Sequence, residues 1–213
     1  MDFAAARARL IDQLHAEIKD EPVLSVMSRI PREKFVPPES QHLAYEDIPL
    51  PIGYNQTISQ PFIIALMTAS LELTGKEKVL EVGTGSGYQA AILAELTHKV
   101  VTVERVAELA DSAKRMLERL GYRNIETHRA GPELGWEKDA PYDAIIVTAA
   151  APEVPTALMS QLATGGRMVI PVGSRYLQDL KKITRRQKGY SIASLGGCRF
   201  VALIGKGAWG NIE

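Results

Sequence analysis

The chain has 213 residues, 46% hydrophobic and 23% charged, with 25 Lys plus Arg matched by 25 Asp plus Glu. This composition suits one folded domain and excludes a disordered chain, while zero net charge offers no field to hold nucleic acid or an anionic membrane. The single cysteine, Cys198, excludes an internal disulfide; no segment resembles a signal peptide or approaches the roughly 20 apolar residues of a membrane span, so a cytoplasmic protein is expected.

Phe3, Ala6, Leu10, Leu14 and Ile18 recur at helical spacing and predict an amphipathic helix over 3–19. Pro22 opens a second, shorter helix with Val23, Val26, Met27 and Ile30 as its apolar stripe. Pro31, Pro37, Pro38, Pro49 and Pro51 then interrupt regular structure. Phe35, Val36, Tyr45 and Ile48 in that stretch predict an ordered loop packed on the domain rather than a linker. A third helix is expected from Gln60 and Pro61 through Ile64, Leu66, Met67 and Leu71.

Strands and helices alternate from there. Strands are predicted over 78–82, 100–103, 125–128, 142–148 and 166–171, with helices over 88–96, 107–120 and 155–161. Gly121 is the expected stop of the long helix. This order predicts an α/β fold, a doubly wound and mostly parallel sheet covered on both faces. Leu180 to Arg186 and Phe200 to Ile204 are expected as further strands extending one edge.

The densest motif is Glu81-Val82-Gly83-Thr84-Gly85-Ser86-Gly87, between a predicted strand and a predicted helix. Glycine lets the backbone turn sharply and approach a ligand without a Cβ clash. The carboxyl end of a parallel strand, beside a helix N-terminus, is where open α/β sheets bind ligands. The spacing then separates two ligand classes. A dinucleotide fingerprint places its third glycine three residues beyond the second, whereas Gly83, Gly85 and Gly87 alternate. Glu81 just upstream can receive an ammonium or sulfonium but opposes a pyrophosphate, and Glu104 can accept both hydroxyls of a ribose. Together they favour S-adenosylmethionine over NAD, with Gly83, Thr84, Gly85 and Gly87 in the cradle.

Val79 through Tyr88 resembles the first motif of class I methyltransferases, a Rossmann-like fold. Upstream, Ala44-Tyr45-Glu46-Asp47-Ile48-Pro49-Leu50-Pro51-Ile52-Gly53, followed by Gln56-Thr57-Ile58-Ser59-Gln60-Pro61, resembles the signature of the protein-L-isoaspartate O-methyltransferase family. So does Ala140-Pro141-Tyr142-Asp143-Ala144-Ile145-Ile146-Val147-Thr148-Ala149-Ala150-Ala151-Pro152, ahead of Gly165-Gly166-Arg167 and Ile170-Pro171-Val172-Gly173. The resemblance runs from about Arg29 to Trp209. It implies one methyltransferase domain over 1–213: N-terminal helices and a covering loop (1–60), a cofactor-binding core (61–173) and C-terminal strands (174–213).

The resemblance further implies transfer of a methyl group from S-adenosylmethionine to the free α-carboxylate of L-isoaspartyl residues in damaged peptides and proteins. Repair then proceeds through a succinimide. It places the catalytic serine at Ser59, with Thr57 beside it, and Gln56, Ile58 and Gly131 near the cofactor; a monomer is expected. Read from the residues alone, Ser59 is equally a helix N-cap, since Ser-x-Pro before an apolar run is a common helix start. A divergent enzyme acting on another carboxylate, or a weakly active cofactor binder, is the alternative.

Two positions depart from the family. Its Gly-Asp-Gly after the third strand is Ala130-Gly131-Pro132 here, and its glycine ahead of Gln-Thr-Ile-Ser is Asn55. The missing acid forecasts weaker cofactor binding, with Glu133 as a candidate substitute; asparagine tolerates left-handed backbone angles. His15, His42, His98 and His128 share no metal-like spacing, and no metal is expected. Lys181, Lys182, Arg185 and Arg186 read as a solvated strand face. Tyr176 and Gln178 fall where the family's substrate-side loop passes.

Overall fold

Two N-terminal helices begin on aspartate caps. In the computed structural model, which describes residues 2–210, Asp2 accepts the Ala5 N–H at 3.0 Å and starts α1 (Phe3–His15). Asp20 accepts the Val23 N–H at 3.1 Å and starts α2 (Glu21–Arg29), with Pro22 in its first turn. Met1 and residues 211–213 of the expected domain lie outside the described residues. The first helix ends earlier than expected: its last turn tightens, Ala16 N–H donating to Gln13 and Glu17 N–H to Leu14, and the Lys19 ammonium takes the freed carbonyls of His15 and Ala16 at 2.8 and 3.0 Å.

The proline-rich stretch is ordered as expected, through short 3-10 turns at Arg32–Phe35 and Pro38–Leu43. It also holds a hairpin that the sequence did not announce. β1 (Leu50–Gly53) pairs antiparallel with β2 (Gln56–Ile58), pairing Leu50 with Ile58 and Pro51 with Thr57. Tyr54 and Asn55 turn between them with φ of 54° and 56°, the left-handed pair that a tight hairpin needs. Strands this short, one carrying a proline, leave little periodicity to read.

The core follows: α3 (Pro61–Ser70), β3 (Lys78–Val82), α4 (Tyr88–Leu96), β4 (Lys99–Glu104), α5 (Ala107–Arg119), β5 (Ile125–Arg129), β6 (Tyr142–Val147), α6 (Thr156–Ser160) and β7 (Leu162–Gly173). The sheet ends with β8 (Gln178–Arg185) and β9 (Tyr190–Cys198), in the spatial order β5-β4-β3-β6-β7-β8-β9. Strands β3 to β7 are parallel; β8 and β9 are antiparallel additions. From β3 the chain builds outward one way through β4 and β5, then returns to β6 on the other side. That reversal opens a crevice at the carboxyl ends of β3, β4 and β6.

Strands β3, β4 and β6 are buried on both faces, which is why they read as apolar runs rather than alternations. Helix α4 is buried from Tyr88 to Ala94, with α2 against it. Side chains such as Ile92 and Leu93, fully buried there, contribute about 1.5–3 kcal/mol each.

The C-terminal expectation needs correction. The last strand is β9, whereas Phe200 to Ile204 makes only isolated bridges, Ala202 with Ala150 and Ile204 with Trp209. The Ala150 N–H donates to Val201 and the Leu203 N–H to Ala150, both at 2.8 Å, and the ladder ends there. β9 is exposed along nearly its whole length, so no apolar alternation marks it. The extended segment 200–204 instead runs over the carboxyl edge and closes one wall of the crevice.

Candidate active site

The crevice contains a cavity that opens to solvent. Its floor is the glycine turn after β3. The Gly83 and Thr84 N–H groups donate to the Val103 carbonyl at 2.9 and 3.3 Å, tying the turn to the end of β4. Gly83 has φ of +102°, and a Cβ there would lie 2.3 Å from Thr148 Oγ1. That hydroxyl donates to the Gly83 carbonyl at 2.7 Å, so the β6 edge presses directly on the turn. Gly85 has φ of +52°, and a Cβ there would come within 3.3 Å of the Ile52 side chain. The β1–β2 hairpin is therefore folded down onto the turn.

Glu104 stands at the end of β4. Its Oε2 accepts the Gly85 N–H and its Oε1 the Val106 N–H, each at 2.9 Å. A carboxylate offers about four lone-pair sites, so two backbone donors orient it and leave capacity toward the cavity that it lines. Gly131 leaves open space on the same wall, since a Cβ added there would have no atom within 4 Å.

The hairpin carries Gln56, Thr57, Ile58 and Ser59 into the opposite wall. Neither the Thr57 nor the Ser59 hydroxyl makes a hydrogen bond among the described residues. Ser59 does not cap α3: the cap position is Gln60, and Asp47 Oδ1 accepts the free Phe62 N–H at 2.7 Å. The Ser59 carbonyl accepts from Arg32 Nη2 at 2.8 Å.

Nine expected site residues thus meet around one cavity: Gln56, Thr57, Ile58, Ser59, Gly83, Thr84, Gly85, Glu104 and Gly131. Two do not line it. Gly87 is the left-handed cap of α4, and a Cβ there would meet Ala113 and Leu117 at 3.3–3.4 Å, so it serves close packing against α5. Glu81 is fully buried beneath the turn. Its Oε2 accepts from Thr102 Oγ1 at 2.5 Å, and Thr102 Oγ1 lies 2.5 Å from Thr84 Oγ1, which does reach the cavity. Burial, with Thr102 opposing and the charge of Glu104 adding, pushes the Glu81 carboxyl up to about 8. Glu81 Oε1 has no partner, a buried acceptor that a cation above the turn would satisfy.

Sequence reasoning missed the wall formed by Val201, Ala202, Leu203 and Ile204; only the chain's return across β6 places it there. It also passed over Gln161, whose amide donates to the Leu134 carbonyl and accepts the Trp136 N–H, both at 2.9 Å, fixing the segment beside Gly131. Glu133 lines the cavity but is paired with Lys206 at 2.9 Å. Away from the cavity, ligand-type atoms of Glu126, His128 and Asp139 lie within 4.8 Å of one another. The Lys99 ammonium already sits among them, 2.8 Å from Glu126 and 3.8 Å from Asp139.

A glycine cradle, a carboxylate oriented by backbone donors and a buried acceptor without a partner fit a nucleoside carrying a positive charge. A family model for protein-L-isoaspartate(D-aspartate) O-methyltransferase (PCMT) matches residues 5–208. The chain belongs to this family. A protein-L-isoaspartate O-methyltransferase from Geobacter metallireducens is 51% identical over 216 residues, covering 100% of both chains. Another from Methanoculleus marisnigri is 53% identical over 192 residues, covering 90% of this chain and 87% of its own. Among solved structures, a protein-L-isoaspartate O-methyltransferase superposes with a TM-score of 0.85 at 30% identity, over 95% of this chain and 67% of the other. A Plasmodium falciparum protein described as the same enzyme, in complex with S-adenosyl-L-homocysteine, gives a TM-score of 0.81 at 26% identity, over 94% and 99%. The fold is thus shared with the isoaspartate methyltransferase family over nearly the whole chain.

Proposed function

We propose that this protein methylates the α-carboxylate of L-isoaspartyl residues in peptides and proteins with S-adenosylmethionine, and that Ser59 and Thr57 hold the acceptor. The observation that carries the assignment of the acceptor site is the pair of uncommitted hydroxyls on the wall facing the glycine turn and Glu104.

Bound S-adenosylmethionine supplies an electrophilic methyl group on a sulfonium. Glu104 takes the ribose hydroxyls, Gly83 and Gly85 let the turn approach closely, and Gln56 and Ile58 close over the ligand from the hairpin. The Thr84 hydroxyl links the turn through Thr102 to Glu81, buried beneath it. Gly131 leaves room beside the base.

The acceptor carboxylate has a reference pKa of roughly 3.5 to 4 and is ionised at neutral pH, so no general base is needed. What the site must supply is alignment, one oxygen in line with the methyl carbon at near-attack distance. The Ser59 and Thr57 hydroxyls donate to the other face of the carboxylate and fix its orientation. Neutral donors leave the attacking oxygen nucleophilic, where an arginine would hold its lone pairs more tightly. The new bond joins carboxylate oxygen to methyl carbon, and the bond that breaks returns its electron pair to sulfur. Charge is lost in this step, so the apolar wall from Val201 to Ile204, which keeps water out, favours it. The ester formed closes to a succinimide without further help from the protein.

Zero net charge favours polypeptides over nucleic acid as partners, and the single cysteine fits a reducing compartment such as the cytoplasm. No helix among the described residues is long and apolar enough to cross a membrane. The deciding experiment incubates the protein with labelled S-adenosylmethionine and two peptides that differ only in an isoaspartyl or aspartyl linkage. Base-labile label on the isoaspartyl peptide alone, reduced by Ser59→Ala, is expected. Equal labelling of both peptides, or none, would overturn the reading.

A further inference from the structure

Arg32 is the largest fully buried side chain in the protein, at 0% exposure, and makes no ion pair among the described residues. Its Nε donates to the Ala44 carbonyl at 2.9 Å and its Nη2 to the Ser59 carbonyl at 2.8 Å. The guanidinium carbon lies 4.9 Å from the centre of the Tyr88 ring, and Nη1 has no hydrogen-bond partner. The Asp47 carboxylate, hydrogen-bonded to Gln60 and Phe62, is a nearby negative charge that makes no ion pair with Arg32. Burial pulls the Arg32 pKa down, with Tyr88, Tyr45 and Asp47 opposing.

A buried cation without a direct counter-ion is costly, and an apolar side chain of the same volume would often serve stability better. Stability alone therefore does not account for it. Its contacts do suggest a role, because Ser59 and Tyr88 both line the cavity and Arg32 touches both from behind. The planar fork holds two carbonyls of different loops in one plane, which a lysine cannot do. One of those carbonyls belongs to the residue whose hydroxyl meets the acceptor.

We propose that Arg32 is a positioning residue for methyl transfer: its fork fixes the Ser59 backbone behind the wall that holds the acceptor. The inference rests on the reading of Ser59 as the residue that holds the acceptor. Arg32 itself reaches neither the acceptor nor the cofactor, and hydroxyls contact the carboxylate while the fork stands one residue behind.

The test compares wild type, Arg32→Lys, Arg32→Met and Ser59→Ala. The readouts are kcat and KM for an isoaspartyl peptide, and Kd for S-adenosylhomocysteine by calorimetry. Lysine loses the fork, so Arg32→Lys is expected to lower kcat roughly ten- to hundred-fold, the scale of a small misplacement of a reacting group. Its peptide KM and its Kd should stay within about threefold of wild type. Arg32→Met, which donates to neither carbonyl, should lower kcat at least as far. Should Arg32→Met not fold, the kcat of Arg32→Lys decides alone. Wild-type kcat in Arg32→Lys, or a Kd that weakens in parallel with kcat, overturns the proposal. If Ser59→Ala is as active as wild type, the reading of Ser59 has failed instead.

Discussion

Asp47 closes the start of α3 across fifteen residues of chain, its Oδ1 accepting the Phe62 N–H at 2.7 Å and its Oδ2 the Gln60 amide at 2.9 Å. A helix start leaves N–H groups without partners, and Asp47 satisfies one from outside the helix. Ser59 is released from that duty. Ser59→Ala should therefore stay within about 0.5 kcal/mol of wild-type stability, while Asp47→Ala should cost about 1–2 kcal/mol. Urea denaturation of both variants measures this. A loss from Ser59→Ala as large as that from Asp47→Ala would return Ser59 to a capping role.

Glu81 carries a pH signature. Its carboxyl is pushed from 4.5 up to about 8, chiefly by burial. The folded state then holds a proton that the unfolded chain has released. The resulting stabilisation is complete below about pH 4.5 and is lost as pH rises toward 8. Glu81→Gln keeps the shape and removes the titration. Melting temperatures measured across that range should show wild type losing ground steadily against Glu81→Gln; parallel curves would place the carboxyl at its ordinary pKa.

Gly83 and Gly131 line the same cavity but should respond differently to alanine. At Gly83 a Cβ would sit 2.3 Å from Thr148 Oγ1 with φ at +102°, so space and backbone angle both oppose it. At Gly131 nothing lies within 4 Å and the backbone angle is not left-handed. Gly83→Ala should weaken S-adenosylhomocysteine binding by tenfold or more, on the order of 1.4 kcal/mol. Gly131→Ala should change it little. Calorimetric titration of both variants compares them, and equal losses would mean the turn is not a ligand cradle.

The space at Gly131 also invites a gain. The resemblance noted in the sequence implies an acid at this position in the family, and a charge-assisted hydrogen bond contributes about 1.5–3 kcal/mol. Gly131→Asp should tighten S-adenosylhomocysteine binding roughly tenfold. Unchanged affinity would show that Glu133, despite its ion pair with Lys206, already does the work.

Much of the parallel core was legible because its signals are local. Residues Lys78 to Val82 read as a strand because Val79, Leu80 and Val82 are apolar and buried. The glycine turn was legible because close backbone approach admits few residue types. Gly87, expected at the ligand, packs against α5 and does not line the cavity: a glycine demanded by a helix packed against it looks in sequence like one demanded by a cofactor.

By itself the sequence determined the alternation of strands and helices, the place of the nucleotide turn and the segment bearing Ser59, since each depends on neighbours a few residues apart. Only the tertiary structure decided which groups are free to react. Asp47 caps α3 and releases the Ser59 hydroxyl, Arg32 grips the Ser59 carbonyl from behind, and residues 201–204 wall the cavity from the far end of the chain. Each is a contact between segments distant in sequence. Hydrogen bonds and burial are satisfied by whatever the fold brings near, and no local pattern records which partner that will be.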